Sequence, residues 1–181
     1  ISFIGGVNRP QFRISTLGTS ATLVTTPTPT GSAPVGKWTL LTGVYDGANV
    51  KIYINGVFDK QTATTTGPFD SATNVSFGRY SFSSSNKLNG TMDDARIYNR
   101  ALSATEIKQL YTLGSARITS TQGLQSGLIG WWTLDGNDLI TNVRDKSGSG
   151  KNGYMQGFTS TSSAQTTGKL GQGLNFDGVD D

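Results

Sequence analysis

The chain has 181 residues, 24 of them glycine, which suits one turn-rich all-β domain of ordinary size. It contains no cysteine and no histidine, which excludes disulfides, thiolate or histidine zinc sites and histidine-based nucleophilic triads. The net charge of +3 is small and spread out, so we expect no nucleic-acid partner. No apolar run reaches about 18 residues, so we expect no membrane-spanning helix.

The first 34 residues predict short strands and a polar loop. Apolar residues alternate over residues 11–15, which is the period-two pattern of a half-buried strand, and a further strand is expected over residues 21–25. Residues 1–4 look like a strand entered part-way through a domain. Residues 25–34 hold three of the five prolines among small polar residues. We therefore expect a surface loop there.

The clearest signal of an antiparallel sheet follows. Alternation predicts strands over residues 36–45 and 50–54, with Trp38 in the core. Asp46-Gly47 predicts the turn between them. Asn55-Gly56 predicts a tight hairpin into a partner strand, because both residues tolerate positive φ.

The stretch after this hairpin predicts two further strands and a helix. Val75 and Phe77 mark a short strand, and residues 90–99 a longer one. Ser103 and Glu106 have the spacing of a capping box, which opens a short helix.

This succession resembles the bacterial concanavalin A-like lectin/glucanase superfamily, in its laminin-G-like or pentraxin-like branch. The resemblance is carried by residues 36–38, 45–47, 52–57, 77–79 and 90–103. In that family these segments form the C-terminal half of a jelly-roll sandwich. The resemblance therefore implies an all-β, antiparallel jelly-roll β-sandwich.

The end of the chain resembles the opening half of the same family, on residues 127–136, 145–153 and 168–181. The two halves thus stand in reversed order. We predict a C-terminal sandwich part over residues 1–111, a linker over residues 112–126, and an N-terminal sandwich part over residues 127–181.

Three arrangements fit the reversed halves. The chain is a window from a tandem array, or its halves pair with each other as in a circular permutant, or a neighbouring chain supplies the missing strands by strand complementation. The family order implies further central strands after Asp181. Their absence would expose apolar area and leave sheet edges unpaired.

Catalysis is not expected. Glycoside hydrolysis needs two carboxylates that face each other across a cleft, and enzymes of the family carry a glutamate-rich catalytic strand. Glu106 is the single glutamate of the chain, and it occupies the capping box. The aspartates outside the groups discussed below lie in turn-like contexts. We therefore predict a protein that is not an enzyme.

Asp93 is the most informative carboxylate. Strand alternation places it on the same face as Ala95 and Ile97, so it should approach the core. A lone buried carboxylate is costly unless it is paired or binds a metal. One outcome is an ion pair with Arg96 or Arg100.

The other outcome for Asp93 is a structural Ca2+. The resemblance implies that the turn containing Asp177 and Asp180 lies near the terminal strand, and calcium bound by aspartates and carbonyls is frequent in the family. Oxygen atoms are the ligands that calcium prefers. We predict a calcium site formed by Asp93, Asp177 and Asp180.

A loop between two predicted strands is the candidate ligand site, because loops at the ends of a sandwich often carry function. Tyr80 is predicted to stack on a sugar ring, while Arg79, Asn86 and Lys87 donate hydrogen bonds to its hydroxyl groups. The alternative is that Tyr80 and Phe82 only cover the edge of the sandwich.

Together these features predict a non-catalytic carbohydrate-binding or adhesion module of a multi-repeat protein, extracellular or at the cell surface, with a carbohydrate or glycoprotein ligand. The alternative is a structural repeat that assembles with neighbouring repeats or chains into a surface layer or filament, without affinity for glycans. Fold analogy favours the first, and the reversed halves favour the second.

Overall fold

The structure is a computed structural model that describes residues 1–3, 8–18, 22–68, 75–78, 87–113, 122–139, 142–158 and 164–179. The chain divides into two compact units, Ile1–Asn74 with Arg100–Leu113, and Val75–Asn99 with Gly114–Asp181. Every strand pair in the described ranges is antiparallel. The predicted all-β sandwich class is confirmed. Within the same ranges, no helix is long and apolar enough to cross a membrane.

The first unit is mainly strands. Its elements are β1 (Ser2–Phe3), β2 (Pro10–Gln11), β3 (Arg13–Ser15), β4 (Leu23–Thr25), β5 (Leu41–Tyr45), β6 (Asn49–Ile54), β7 (Val57–Ala63) and α1 (Ala104–Leu113). β1 pairs with β2, β3 pairs with β4, and β5, β6 and β7 form a three-stranded sheet in that order. The central strand β6 contributes most to the core, since Val50 and Ile52 are completely buried.

The predicted turns of this sheet are present. Asn55 and Gly56 have φ of 52° and 79°, the left-handed conformations that a tight hairpin between β6 and β7 requires. Asp46 Oδ1 accepts hydrogen bonds from the main-chain N–H groups of Ala48 and Asn49 at 3.0 and 2.7 Å. Each strand connection is therefore closed by the residues that the sequence indicated.

The predicted burial of Trp38 is wrong. Asn55 ends the ladder by binding Leu40 twice, donating from its N–H to the Leu40 carbonyl at 2.9 Å and accepting the Leu40 N–H on its side chain at 3.0 Å. β5 starts at the next residue, Leu41. Trp38 therefore lies before the sheet, and its side chain is exposed.

The capping box at the start of α1 is confirmed. The Glu106 carboxylate accepts hydrogen bonds from the Ser103 N–H at 2.8 Å and from the Ser103 hydroxyl at 2.9 Å, and the Glu106 N–H donates back to that hydroxyl at 3.2 Å. Arg100 adds an ion pair to Glu106 at 2.6 Å. The helix buries Ile107 and Leu110.

Among its described residues, the second unit contains two sheets. Its elements are β8 (Asn89–Met92), β9 (Ala95–Tyr98), α2 (Gln122–Gln125), β10 (Leu128–Trp132), a 3-10 turn (Gly136–Asp138), β11 (Gln165–Thr167) and β12 (Gln172–Asp177). β9 pairs with β10, and β12 lies between β11 and β8. The buried core of the unit consists of Trp132, Leu134, Leu139, Val143, Ala164, Leu174 and Phe176.

Two predicted strands differ in the structure. The strand expected at Val75 and Phe77 is absent among the described residues 75–78, because Gly78 turns the chain with φ of 82° beside the ring of Phe176. The strand expected over residues 90–99 is divided into β8 and β9. The break falls at Asp94, whose φ of 55° is incompatible with a continuous strand.

The strands of the second unit come from both predicted sandwich parts. β8 and β9 lie before residue 111, whereas β10, β11 and β12 lie after residue 127. Their pairing within one chain joins a segment that resembles the end of the family domain to one that resembles its start. The division of the chain into parts of consecutive repeats stays a prediction.

Candidate functional site

The predicted sugar-binding loop is described only at its end. Arg79, Tyr80 and Asn86 lie outside the described residues, so their roles stay predictions. Lys87 is described, and its ammonium group donates a hydrogen bond to the main-chain carbonyl of Val179. Lys87 therefore already holds the turn that follows β12.

The two described calcium candidates lie at opposite ends of one strand pair. Asp177 ends β12 and pairs with Asn89, while Asp93 follows Met92, which pairs with Leu174. Four strand steps therefore separate the two aspartates, which is about 13 Å. One ion cannot bind both, because calcium–oxygen distances are about 2.3–2.6 Å.

The predicted three-aspartate site therefore does not assemble as expected. The strand register holds Asp93 away from Asp177, and Asp180 lies outside the described residues. In the part of the chain that the structure describes, no group of three or more acidic side chains lies close enough to hold a metal. A calcium ion that uses one of these aspartates stays a prediction from the sequence.

Asp93 instead binds the turn between β11 and β12 together with a second carboxylate. Asp93 Oδ2 accepts the N–H of Leu170, and Asp135 Oδ1 accepts the N–H of Gln172, both at 2.7 Å. A side chain at Gly168 could not fit, since its Cβ would lie 2.7 Å from Asp93 Oδ2. Sequence reasoning missed Asp135, because only the folded chain brings it to this turn.

Asp93 is partly buried, as the strand pattern predicted, and its pKa is raised to about 6. Burial is the main cause, since it penalises the charged carboxylate. The main-chain N–H groups of Leu170 and Lys169 work against this change, while the nearby charges of Asp94 and Asp135 add to it. Among the described residues, its buried Oδ1 atom has no hydrogen-bond partner.

The predicted ion pair of Asp93 with Arg96 or Arg100 is wrong. Arg96 pairs with Asp94 at 2.8 Å, and Arg100 pairs with Glu106. Asp94 Oδ1 also accepts a hydrogen bond from Nε1 of Trp131 at 2.6 Å, and the Arg96 guanidinium lies 5.0 Å from the centre of the Trp131 ring. Asp94, at the break between β8 and β9, therefore takes the arginine partner that was expected for Asp93.

Asp145 organises the loop after β10. Its carboxylate accepts hydrogen bonds from the main-chain N–H groups of Trp131, Ser147 and Lys151 at 2.8–3.0 Å, and from the Ser147 hydroxyl at 3.0 Å. Burial works to raise its pKa, but these donors outweigh it and lower the pKa to about 2. Both oxygens of the carboxylate accept hydrogen bonds from its own loop or from the adjoining strand, so Asp145 has a structural role.

Exposed aromatic rings form a second candidate site in the first unit. We call Val57, Phe58, Lys108 and Tyr111 the hairpin patch. Phe58 and Tyr111 are 47% and 44% exposed, although one lies on β7 and the other on α1. A Cβ at Gly56 would lie 2.9 Å from Cβ of Tyr111, so the hairpin turn touches the helix.

The rings of the hairpin patch have fixed surroundings. Phe58 packs edge-on against the buried ring of Tyr53, with 5.6 Å between the ring centres. The ammonium group of Lys108 lies 5.9 Å from the centre of the Tyr111 ring. Tyr111 thus offers an exposed ring with a charged group beside it, and Phe58 offers a second exposed ring on β7. The sequence pattern did not single out the hairpin patch. Period-two alternation predicts an exposed face on every edge strand, so it cannot distinguish a binding surface from an ordinary one.

The chain was compared with curated proteins, with solved structures and with protein-family models. No curated protein matches the sequence. The S-layer domain-containing protein (residues 221–444) from Clostridium thermocellum ATCC 27405 is similar at 25% identity over 60% of this chain and 59% of that structure, with a TM-score of 0.41. The chain thus spans less than two thirds of that structure's length.

The family model for laminin-G-like domains matches residues 2–108, which is more than half of the chain. This region holds Trp38, Asn55-Gly56 and the paired aspartates that carried the resemblance in the sequence. The chain belongs to the concanavalin A-like lectin/glucanases superfamily.

Proposed function

We propose that the chain is a non-catalytic carbohydrate-binding module of a protein exposed outside the cell. The observation that carries this proposal is the hairpin patch, where Phe58 and Tyr111 expose their rings on regular elements. Apolar faces of sugar rings fit such rings, and a few polar groups at the side fix the orientation of a ligand. The ammonium group of Lys108, 5.9 Å from the centre of the Tyr111 ring, is the proposed donor of such hydrogen bonds. Membership in a superfamily of lectins and glucanases supports the same ligand class.

The carboxylates that stand out in the structure support the non-catalytic part of the proposal. Glu106 is bound by Ser103 and Arg100, and its pKa is lowered to about 2 by the Arg100 guanidinium and the Ser103 N–H, so it is a poor proton donor. Asp93 has the raised pKa that a general acid needs, but Oδ1 is buried and Oδ2 is bonded to Leu170. Neither carboxylate is placed to protonate a glycosidic oxygen.

The loop with Arg79, Tyr80, Asn86 and Lys87 is the second position proposed for a sugar. It rests on the sequence alone, and its key stacking residue is Tyr80. The two positions differ in one testable respect, which is whether affinity depends on Tyr80 or on Tyr111.

Binding of the 181-residue chain to a glycan array tests the proposal. We expect Tyr111→Ala to weaken binding at least about tenfold, which is ~1.4 kcal/mol, because it removes a stacking surface. Tyr154→Ala is the matched control, since Tyr154 is an exposed tyrosine of the other unit. Loss of binding in Tyr80→Ala alone would assign the sugar to the loop. A wild-type chain that binds no glycan would contradict the proposal.

A further inference from the structure

The second unit is built from two separate stretches of chain. Val75–Asn99 and Gly114–Asp181 form it, while Arg100–Leu113, which connects them in sequence, belongs to the first unit. We call Val75–Asn99 the early stretch and Gly114–Asp181 the late stretch. The strand pairs β8–β12 and β9–β10 each join the early stretch to the late one. The sheets of this unit therefore depend on association between two segments that are not continuous within it.

The interface between the two stretches is apolar. Trp132 and Phe176 of the late stretch are buried, and Phe77 and Ile97 of the early stretch pack against the same core. The rings of Phe77 and Trp132 meet edge-on with 5.4 Å between their centres. Separation of the stretches exposes these large apolar side chains to water, so each stretch favours pairing with a complementary one.

Polar contacts fix the register of the same interface. The Tyr98 hydroxyl donates to the carbonyl of Leu124 at 3.1 Å, and the Trp131 indole donates to Asp94 at 2.6 Å. Each bond joins one stretch to the other. They make the association specific, since a shifted register would leave partly buried donors and acceptors unpaired.

We propose that the late stretch of one copy also pairs with β8 and β9 of a second copy, so that chains associate by strand exchange. An exchanged unit repeats every hydrogen bond and apolar contact of the unexchanged unit, and only the covalent connection differs. Pairing within one chain is favoured at low concentration, because the effective concentration of a linked segment is on the order of millimolar. Exchange therefore increases with protein concentration. The partner in this exchange is a second copy of the chain, and the association does not depend on carbohydrate binding.

Two full-length variants test the proposal by complementation. Phe176→Asp disables the late stretch by burying a charge in the apolar interface, and Ile97→Asp disables the early one by placing a charge against that core. Neither variant can complete the second unit with its own chain. In a 1:1 mixture, the intact early stretch of one variant pairs with the intact late stretch of the other.

We expect the mixture to form a heterodimer in size-exclusion chromatography with light scattering, and to regain the fluorescence of buried Trp132. The control is a mixture of Phe176→Asp with Leu174→Asp, which contains no intact late stretch and should remain unpaired. A complementing mixture that stays monomeric would overturn the proposal.

A second measurement covers variants that fail to fold. Donor- and acceptor-labelled wild-type chains are mixed without glycan, and energy transfer should develop with time and increase with concentration. The matched control carries Thr91→Cys and Asn175→Cys, which face each other across β8 and β12, so that an intrachain disulfide blocks exchange. Wild-type chains that never develop more energy transfer than this locked variant would refute strand exchange and leave the carbohydrate proposal untouched.

Discussion

Two carboxylates of the second unit show how neighbours decide the cost of burial. Asp145 accepts four hydrogen bonds from its own loop and the adjoining strand, and its pKa is lowered to about 2 although burial opposes this. Asp93 is bound by main-chain N–H groups on one oxygen only, and burial raises its pKa to about 6. The number of donors, rather than depth alone, separates the two cases.

We predict that Asp145→Asn lowers the free energy of unfolding at pH 7 by about 2–4 kcal/mol, because it removes the charge and replaces one of the two acceptor oxygens by an NH2 group, which leaves the N–H groups bound to that oxygen unpaired. The folded pKa of Asp145 is lowered, so its contribution is complete above the unfolded pKa of about 4 and is lost as the pH falls toward 2. Urea unfolding at pH 7, 4 and 3 measures this.

The difference between wild type and Asp145→Asn should therefore shrink between pH 4 and pH 2. Ser147→Ala is the control, because it removes the hydroxyl and keeps the carboxylate with its three main-chain donors. A variant as stable as wild type at pH 7 would show that the loop does not need the charge.

For single residues, the sequence predicts contacts between near neighbours in the chain and misses contacts between residues far apart in it. The capping box of Ser103 and Glu106 is readable because its partners are three residues apart. The binding of Asp93 to Leu170 joins residues 77 positions apart, so no local pattern contains it. The same reason explains the wrong arginine partner, since Asp94 and not Asp93 faces Arg96.

The secondary-structure elements also divide into those that the local sequence predicts correctly and those that it does not. Strands with strong alternation and a defined turn, such as β5 and β6, are predicted correctly apart from the start of β5. Errors occur where one residue adopts positive φ, at Gly78 and at Asp94, because alternation continues through the position while the backbone does not. α2 lies inside the predicted linker 112–126, because a helix of four residues has too little periodicity to be recognised.

Close packing between strands gives a prediction for β5. A Cβ at Gly43 would overlap the ring of Phe12. Gly43→Ala should therefore destabilise the first unit by about 1–3 kcal/mol, the usual cost of overpacking. Gly67→Ala is the control, because its Cβ would lie 3.5 Å from the nearest atom, the hydroxyl of Tyr45. Equal urea midpoints for the two variants would mean that Phe12 moves aside without cost.

For the molecule as a whole, the sequence predicted the class and the family, while its division into parts of consecutive repeats stays a prediction. The compact units are a different division, since the structure assigns Val75–Asn99 to the second unit together with Gly114–Asp181. The reason is that compactness depends on which strands pair, and β8 and β9 pair with residues that occur 30 or more positions later. A boundary drawn along the chain cannot describe a unit made of two stretches.

This division predicts where core substitutions act. Ile52 is completely buried in the first unit, and Phe176 is buried in the core of the second. Truncation of either to alanine should cost about 2–5 kcal/mol, because it leaves a cavity in its own core. Amide hydrogen exchange locates the effect. Phe176→Ala should lower protection over residues 89–98 and 128–177, and Ile52→Ala over residues 41–63.

Hydrogen-exchange protection over residues 89–98 distinguishes a second unit made of one continuous segment from one made of two stretches. These residues precede α1 in sequence, so they should respond to a change at Phe176 only if β8 and β9 belong to the core that the late stretch completes. A loss of protection confined to residues 128–177 would contradict the two-stretch unit. A matching loss in both stretches would show that they open together, which is the step from which strand exchange between two copies begins.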